Sequence, residues 1–131
     1  MALSFSTAVR TNRAQSIVTD AGATNATMKF YNGTRPASLG VVTSQTLLAT
    51  LTFPGTIGTV STGVLTFGSV TQNNANHVNG TPTWVRIAKS DNTAVMDIDI
   101  GAGVGNMQFT GTIANGVNIT LNASTLTEGN P

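Results

Sequence analysis

Hydrophobic and polar positions follow two different periods along this chain, and the switch between them comes early. Ala14, Ile17, Val18 and Ala21 recur at the spacing of one helical face. Ser4 or Ser6 stands where a helix start needs a cap, and Gly22 where a helix stops. The spacing predicts a helix from about Ser6 to Asp20, with Arg10 and Arg13 on or near its polar side. Such a helix can pack on the protein's own sheet, or residues 1–22 can form an arm that reaches a neighbouring subunit.

Beyond Gly22 the period falls to two, the signature of half-buried strands. "TMKFY" (27–31), "TLLATLTF" (46–53) and "GVLTFGSV" (63–70) read as strands. In the second of these Leu47, Ala49, Leu51 and Phe53 share one face. "FPGTIGTVSTG" and "TQNNANHVNGTP" (71–82) read as loops by their Gly, Pro and Asn content. The best-defined unit is a hairpin over 83–100. A two-residue turn at Asp91-Asn92 pairs Ser90 with Thr93, Ala88 with Val95, Arg86 with Asp97 and Trp84 with Asp99. Val85, Ile87, Met96, Ile98 and Ile100 then share an apolar face. Trp84, Arg86, Ala88, Val95, Asp97 and Asp99 share the other. A second hairpin joins "MQFTGTI" to "VNITL" through Ala114-Asn115-Gly116, with Gly116 left-handed, Ile113 opposite Val117 and Phe109 opposite Leu121. The expected fold is mainly β: an antiparallel β-sandwich, jelly-roll or immunoglobulin-like, with one N-terminal helix. It is one domain overall, a helix or arm over 1–22 and a sandwich over 23–131.

Composition narrows the function. Only 8% of the 131 residues are charged and the net charge is +1, which leaves no electrostatic footprint for nucleic acid or an acidic membrane. Thr (23), Gly (14), Asn (13) and Ser (9) supply an uncharged polarity instead. That balance leans toward a protein held in a dense assembly, because long charged side chains are depleted at interface cores. There is no cysteine, so neither disulfides nor thiolate metal sites are expected. No apolar run approaches the length of a membrane span, and the N-terminal residues do not read as a signal peptide.

Candidate chemistry is sparse. Asp97 and Asp99 form the one acidic pair within a strand, and Arg86 opposite Asp97 accounts for one carboxylate as a cross-strand ion pair. A catalytic or metal-binding pair would need convergent partners; the single histidine, His77, sits in a polar loop, and Asp20 and Glu128 are distant in sequence. "GAGVG" (101–105) has Asn106 at the last glycine position of a dinucleotide fingerprint and reads as a tight loop. No catalytic residue, metal ligand or cofactor site is therefore expected. Trp84 beside Arg86 is either an exposed binding anchor or a side chain covered by the helix or a loop. Arg35, in the "NGTRP" turn, is either a contact residue or a solvated turn residue.

Three segments, "MALSFSTAVR", "MKFYNGTRPAS" (28–38) and "GTPTWVRIAKSDNTAVMDIDIG" (80–101), together resemble a group of small proteins encoded by tailed bacteriophages and prophages. "TLLATLTF" and "GVLTFGSV" extend the resemblance, which carries no catalytic signature. It implies a virion structural protein without enzyme activity or cofactor, first of all a capsid decoration or cement protein. Such a protein is made in the host cytoplasm, sits on the capsid surface, binds the major capsid protein and self-associates as a homotrimer or homodimer. The contact residues expected on that basis are Trp84, Arg86, Asp97 and Asp99, then Arg10, Arg13 and Arg35. A tail, baseplate or fibre-associated protein is the alternative, and a carbohydrate-binding module a more distant one.

Overall fold

The 83–100 segment organises the larger of two sheets. A computed structural model describes residues 3–101, 107, 109, 111–120 and 125–127. In chain order its elements are α1 (Thr7–Ala21), β1 (Thr27–Tyr31), β2 (Leu47–Thr52), β3 (Gly58–Ser61), β4 (Val64–Phe67), β5 (Thr71–Gln72), β6 (Trp84–Ala88), β7 (Ala94–Asp99) and β8 (Thr125–Thr127). One antiparallel sheet has the order β5-β2-β1-β6-β7, the other β3-β4-β8. Met28, Phe30, Leu51, Phe53, Ile57, Leu65, Val85 and Ile87 are fully buried in one core cluster. The chain is thus mainly β, sandwich-like, with one N-terminal helix.

The helix forms where its pattern places it. Ser6 is the cap, its Oγ accepting from Val9 N–H at 3.3 Å, and Gly22 closes it at φ 96°. Ala14, Val18 and Ala21 are buried, and α1 packs against β3, β4 and β7 of its own chain. Two polar links fasten it: Lys89 Nζ lies 3.1 Å from Asp20 Oδ1, and Gly63 N–H donates to Thr11 Oγ1 at 2.9 Å.

Two bulges alter the expected registers. The turn closed by the Lys89–Thr93 bond has three residues, not two: Lys89 N–H bonds Thr93 O, Asn92 N–H bonds Lys89 O, and Asn92 alone is left-handed at φ 73°. Asp91 Oδ1 accepts from Thr93 N–H at 2.9 Å. A two-residue type I′ turn would need positive φ at Asp91 as well. Ser90 therefore does not pair with Thr93, and Ala88 pairs with Ala94 instead of Val95. A bulge at Val95 then restores Arg86↔Asp97 and Trp84↔Asp99, and turns Val95 from the outer face to pack against the core. In β1–β2 the register shifts between Phe30↔Ala49 and Tyr31↔Leu47. Leu48 consequently enters the core, while Leu47 is 40% exposed, against the face expected of it.

The stretch expected as a loop between Phe53 and Gly63 contains β3, joined to β4 by a two-residue turn with Thr62 at φ 50° and Gly63 at φ 78°. A β-branched residue at positive φ is unfavourable, and the Thr11 bond from α1 holds this turn. Gly58 is required there, because a Cβ on it would lie 2.0 Å from Thr66 O. In the second expected hairpin the Ile113–Val117 pairing is replaced by a different one. Gly116 is left-handed and Val117 N–H bonds Ala114 O, but Ile113 exchanges both backbone bonds with Gly80, at 2.7 and 3.0 Å. Residues 117–120 form no strand. Leu121, the 102–106 part of the glycine loop and Glu128 lie outside the described residues.

Candidate functional site

The strands β1, β6 and β7 place Tyr31, Trp84, Lys29, Arg86, Asp97 and Asp99 on the outer face of the large sheet, opposite the core. The chain from 33 to 46 crosses this face and closes over it. Arg86 forms a two-pronged ion pair with Asp97, Nε to Oδ1 at 2.7 Å and Nη2 to Oδ2 at 2.8 Å, and Nη2 also donates to Gly40 O at 2.9 Å. The Arg86 side chain is 10% exposed and that of Asp97 1%. The Asp97 hydrogen bond raises the Arg86 pKa above its ordinary value, against the opposing effect of burial. At the rim Arg35 pairs with Asp99 through Nε at 2.8 Å and Nη2 at 3.4 Å, and the Asp99 bond raises the Arg35 pKa.

Trp84 is completely buried, so it is not an exposed anchor on this surface. Its ring stacks on Tyr31, with centroids 4.5 Å apart and planes 11° from parallel, and the Arg86 guanidinium lies 5.4 Å from its centroid. What covers this layer is the 33–46 crossing, through Gly40 to Arg86 and Arg35 to Asp99, and not α1. Its Nε1 is buried without a hydrogen-bond partner, a loss of about 1–3 kcal/mol that burial and stacking offset. Arg86 is likewise buried, a structural tie rather than a free contact. Five of the seven expected contact residues, Trp84, Arg86, Asp97, Asp99 and Arg35, therefore meet in one layer. Arg10 and Arg13 sit on α1, where Arg10 Nη2 donates to Thr7 Oγ1 at 3.2 Å and the Arg13 guanidinium lies 4.7 Å from the Phe5 ring centroid.

Lys29 is the member that pattern reading overlooks. It stands directly across from Arg86 in the β1–β6 register, and like charges so placed repel. Burial, then the Arg86 charge, lowers its pKa below the ordinary lysine value. Nζ donates to Asn92 Oδ1; no carboxylate pairs with it among the described residues. The signal in the sequence was Lys29 and Arg86 alternating onto the same face, which only the strand order could bring side by side.

The sequence outside these charged stretches has another character. From Pro36 to Thr83 and from Ile100 to Thr127 the chain contains no Lys, Arg, Asp or Glu. Thr59, Thr66 and Thr125 line up across β3-β4-β8 on the exposed face. His77 is 3% exposed, its Nδ1 is 3.0 Å from Val117 O, and its Nε2 is buried without a partner. Among the described residues no group of three or more His, Cys, Asp or Glu side chains is placed to hold a metal, and no helix is long and apolar enough to cross a membrane.

Comparison of the chain with family models, curated protein sequences and solved structures finds no match.

Proposed function

We propose that the chain is a non-enzymatic structural protein of a tailed-phage virion, a capsid decoration protein that binds the outer head surface and bridges major capsid subunits. The observation that carries this reading is the charge distribution. The exposed face of β3-β4-β8 is a threonine array, Thr59, Thr66 and Thr125, set in sequence free of charged side chains over 36–83 and 100–127. A surface poor in charge is inexpensive to desolvate and resembles the charge-depleted centre of a protein interface. Self-association as a trimer or dimer, multiplied over the symmetry of a shell, gives tight attachment from modest contacts.

Quantifying the protein in purified particles, with heads and tails separated, tests the reading. Hundreds of copies that stay with the heads are expected. A few to some tens of copies that leave with the tails would replace it with a tail, baseplate or fibre role.

A further inference from the structure

The segment that crosses the outer face does more than cover Trp84. Between it and the sheet lies a cleft of about 370 Å³ whose lining includes Lys29, Tyr31, Leu39, Val41, Arg86 and Asn92. Its charges do not cancel. Lys29 and Arg86 are both cations, and the one carboxylate beside them among the described residues, Asp97, already gives both oxygens to Arg86. One positive charge is left over, on a lysine whose only side-chain bond among the described residues is to a neutral amide. The cleft's wall is also set in advance. Ser38 and Leu39 are consecutive non-glycine residues at positive φ, 53° and 58°, a conformation that persists only where the surroundings enforce it. Here Gly40 enforces it, its N–H bonding Ala37 O at 3.0 Å and its carbonyl accepting from Arg86. The result is a rim with Leu39 41% and Val41 82% exposed.

The geometry points to a carboxylate-binding pocket in which Lys29 takes an acidic side chain of a partner protein while Leu39 and Val41 are covered by apolar surface around that acid. A single uncompensated charge suits a monoanion better than a phosphate. The exposed aliphatic rim suits an acid carried on a protein surface better than a small free acid, which would leave Val41 in water. An anchor desolvated by an apolar surround is where binding energy concentrates, and charge-assisted bonds to lysine are the stronger kind. The choice of a protein as the source rests on the virion reading above; the preference for a carboxylate rests on the cleft alone.

Two measurements test this. In the first, the folded protein is titrated with isobutyrate at constant ionic strength while NMR follows the Cε–Hε signals of both lysines and the methyls of Leu39 and Val41. Saturable shifts are expected at Lys29, Leu39 and Val41, with none at Lys89, which is already paired with Asp20. Lys29→Met should weaken the titration about tenfold or more, the scale of one charge-assisted bond. Equal shifts at both lysines, the same response to isobutyramide or to chloride, or an unchanged titration in Lys29→Met would each overturn the pocket. In the second, wild-type protein and Lys29→Met are rebound to particles stripped of the protein. A tenfold or greater loss for the variant is expected, and equal rebinding refutes a protein carboxylate as the occupant. If wild type rebinds to no particle fraction, the virion reading falls and takes the protein source with it; the isobutyrate titration still decides the pocket.

Discussion

Two loop systems tie down the ends of this sandwich, and they do so with opposite chemistry. Over the large sheet, the 33–46 crossing is held by the buried Arg86–Asp97 pair, its extra bond to Gly40 O, and the rim pair Arg35–Asp99. At the far end, residues 72–80 and 113–119 are stitched together without any charged side chain. Asn115 Nδ2 donates to Ala75 O and His77 O, Gln72 makes both bonds to the Ile119 backbone, and Asn74 Nδ2 donates to Asn118 Oδ1. The first design concentrates its hold in two ion pairs, and the halves of the buried one, Arg86–Asp97, are costly to separate in a low-dielectric layer. The second distributes its hold over many neutral bonds of small net value. A shared charge makes one loop brittle to mutation, and distributed amides make the other tolerant.

The comparison is broken most directly at Arg86. Arg86→Met should destabilise the protein by about 3–5 kcal/mol in urea unfolding, because Asp97 is left buried and unpaired. Joining it with Asp97→Leu should recover most of that loss; a double variant as unstable as the single would show that the pair itself contributes net stability. Asn115→Ala comes next, at about 1–3 kcal/mol for two backbone carbonyls losing their donor. Its effect should not change between low and high salt. A loss as large as that of Arg86→Met would erase the distinction between the two designs.

Lys29→Met sharpens the comparison in the other direction. The folded-state pKa of Lys29 lies below the unfolded value of 10.5, so at neutral pH the folded state carries a charge in a place that disfavours it. The variant should be the more stable protein there. As pH rises through the folded pKa toward 10.5, the wild-type folded state sheds its proton before the unfolded state does, gains stability by linkage, and the variant's advantage shrinks. Urea midpoints of the two proteins at pH 7 and pH 10.5 check this. The raised pKa of Tyr31 acts with the opposite sign above pH 10, is common to both proteins, and drops out of the difference in so far as Lys29→Met leaves it unchanged. The smallest effect belongs to Asp91, whose bond from Thr93 N–H lowers its pKa below 3.8. Its contribution is present above that value and is lost as pH falls through the folded pKa. Asp91→Asn should therefore flatten a shallow loss of stability seen in wild type at the acid end.

The outcome for the 83–100 hairpin shows how far a pattern reaches. The alternation of Val85, Ile87 and Ile98 with Trp84, Arg86, Asp97 and Asp99 assigned the faces correctly, because a one-residue slip would bury the aspartates in the apolar core. The turn itself was misread, since the pattern cannot distinguish a two-residue turn from a three-residue loop followed by a bulge; the final register is the same. In β2 the same ambiguity exchanged Leu47 and Leu48. β3 was missed because a turn through Thr62 at positive φ is unfavourable alone and is held by α1. The expected Ile113–Val117 pairing gave way because Gly80, more than thirty positions away in sequence, satisfies the backbone of Ile113.

Local periodicity alone determined the helix and its caps, the strands β1, β4 and β6, the antiparallel sandwich class and the Arg86–Asp97 pairing, because each depends on residues near in sequence or on a two-residue repeat. The tertiary structure decided the rest. Whether Trp84 is exposed depended on where the 33–46 segment runs. That Lys29 faces Arg86 over a cleft depended on β1 and β6 being neighbours in the sheet. Both follow from packing between distant segments, where burial and charge proximity are properties of the assembled fold and not of any one stretch of chain.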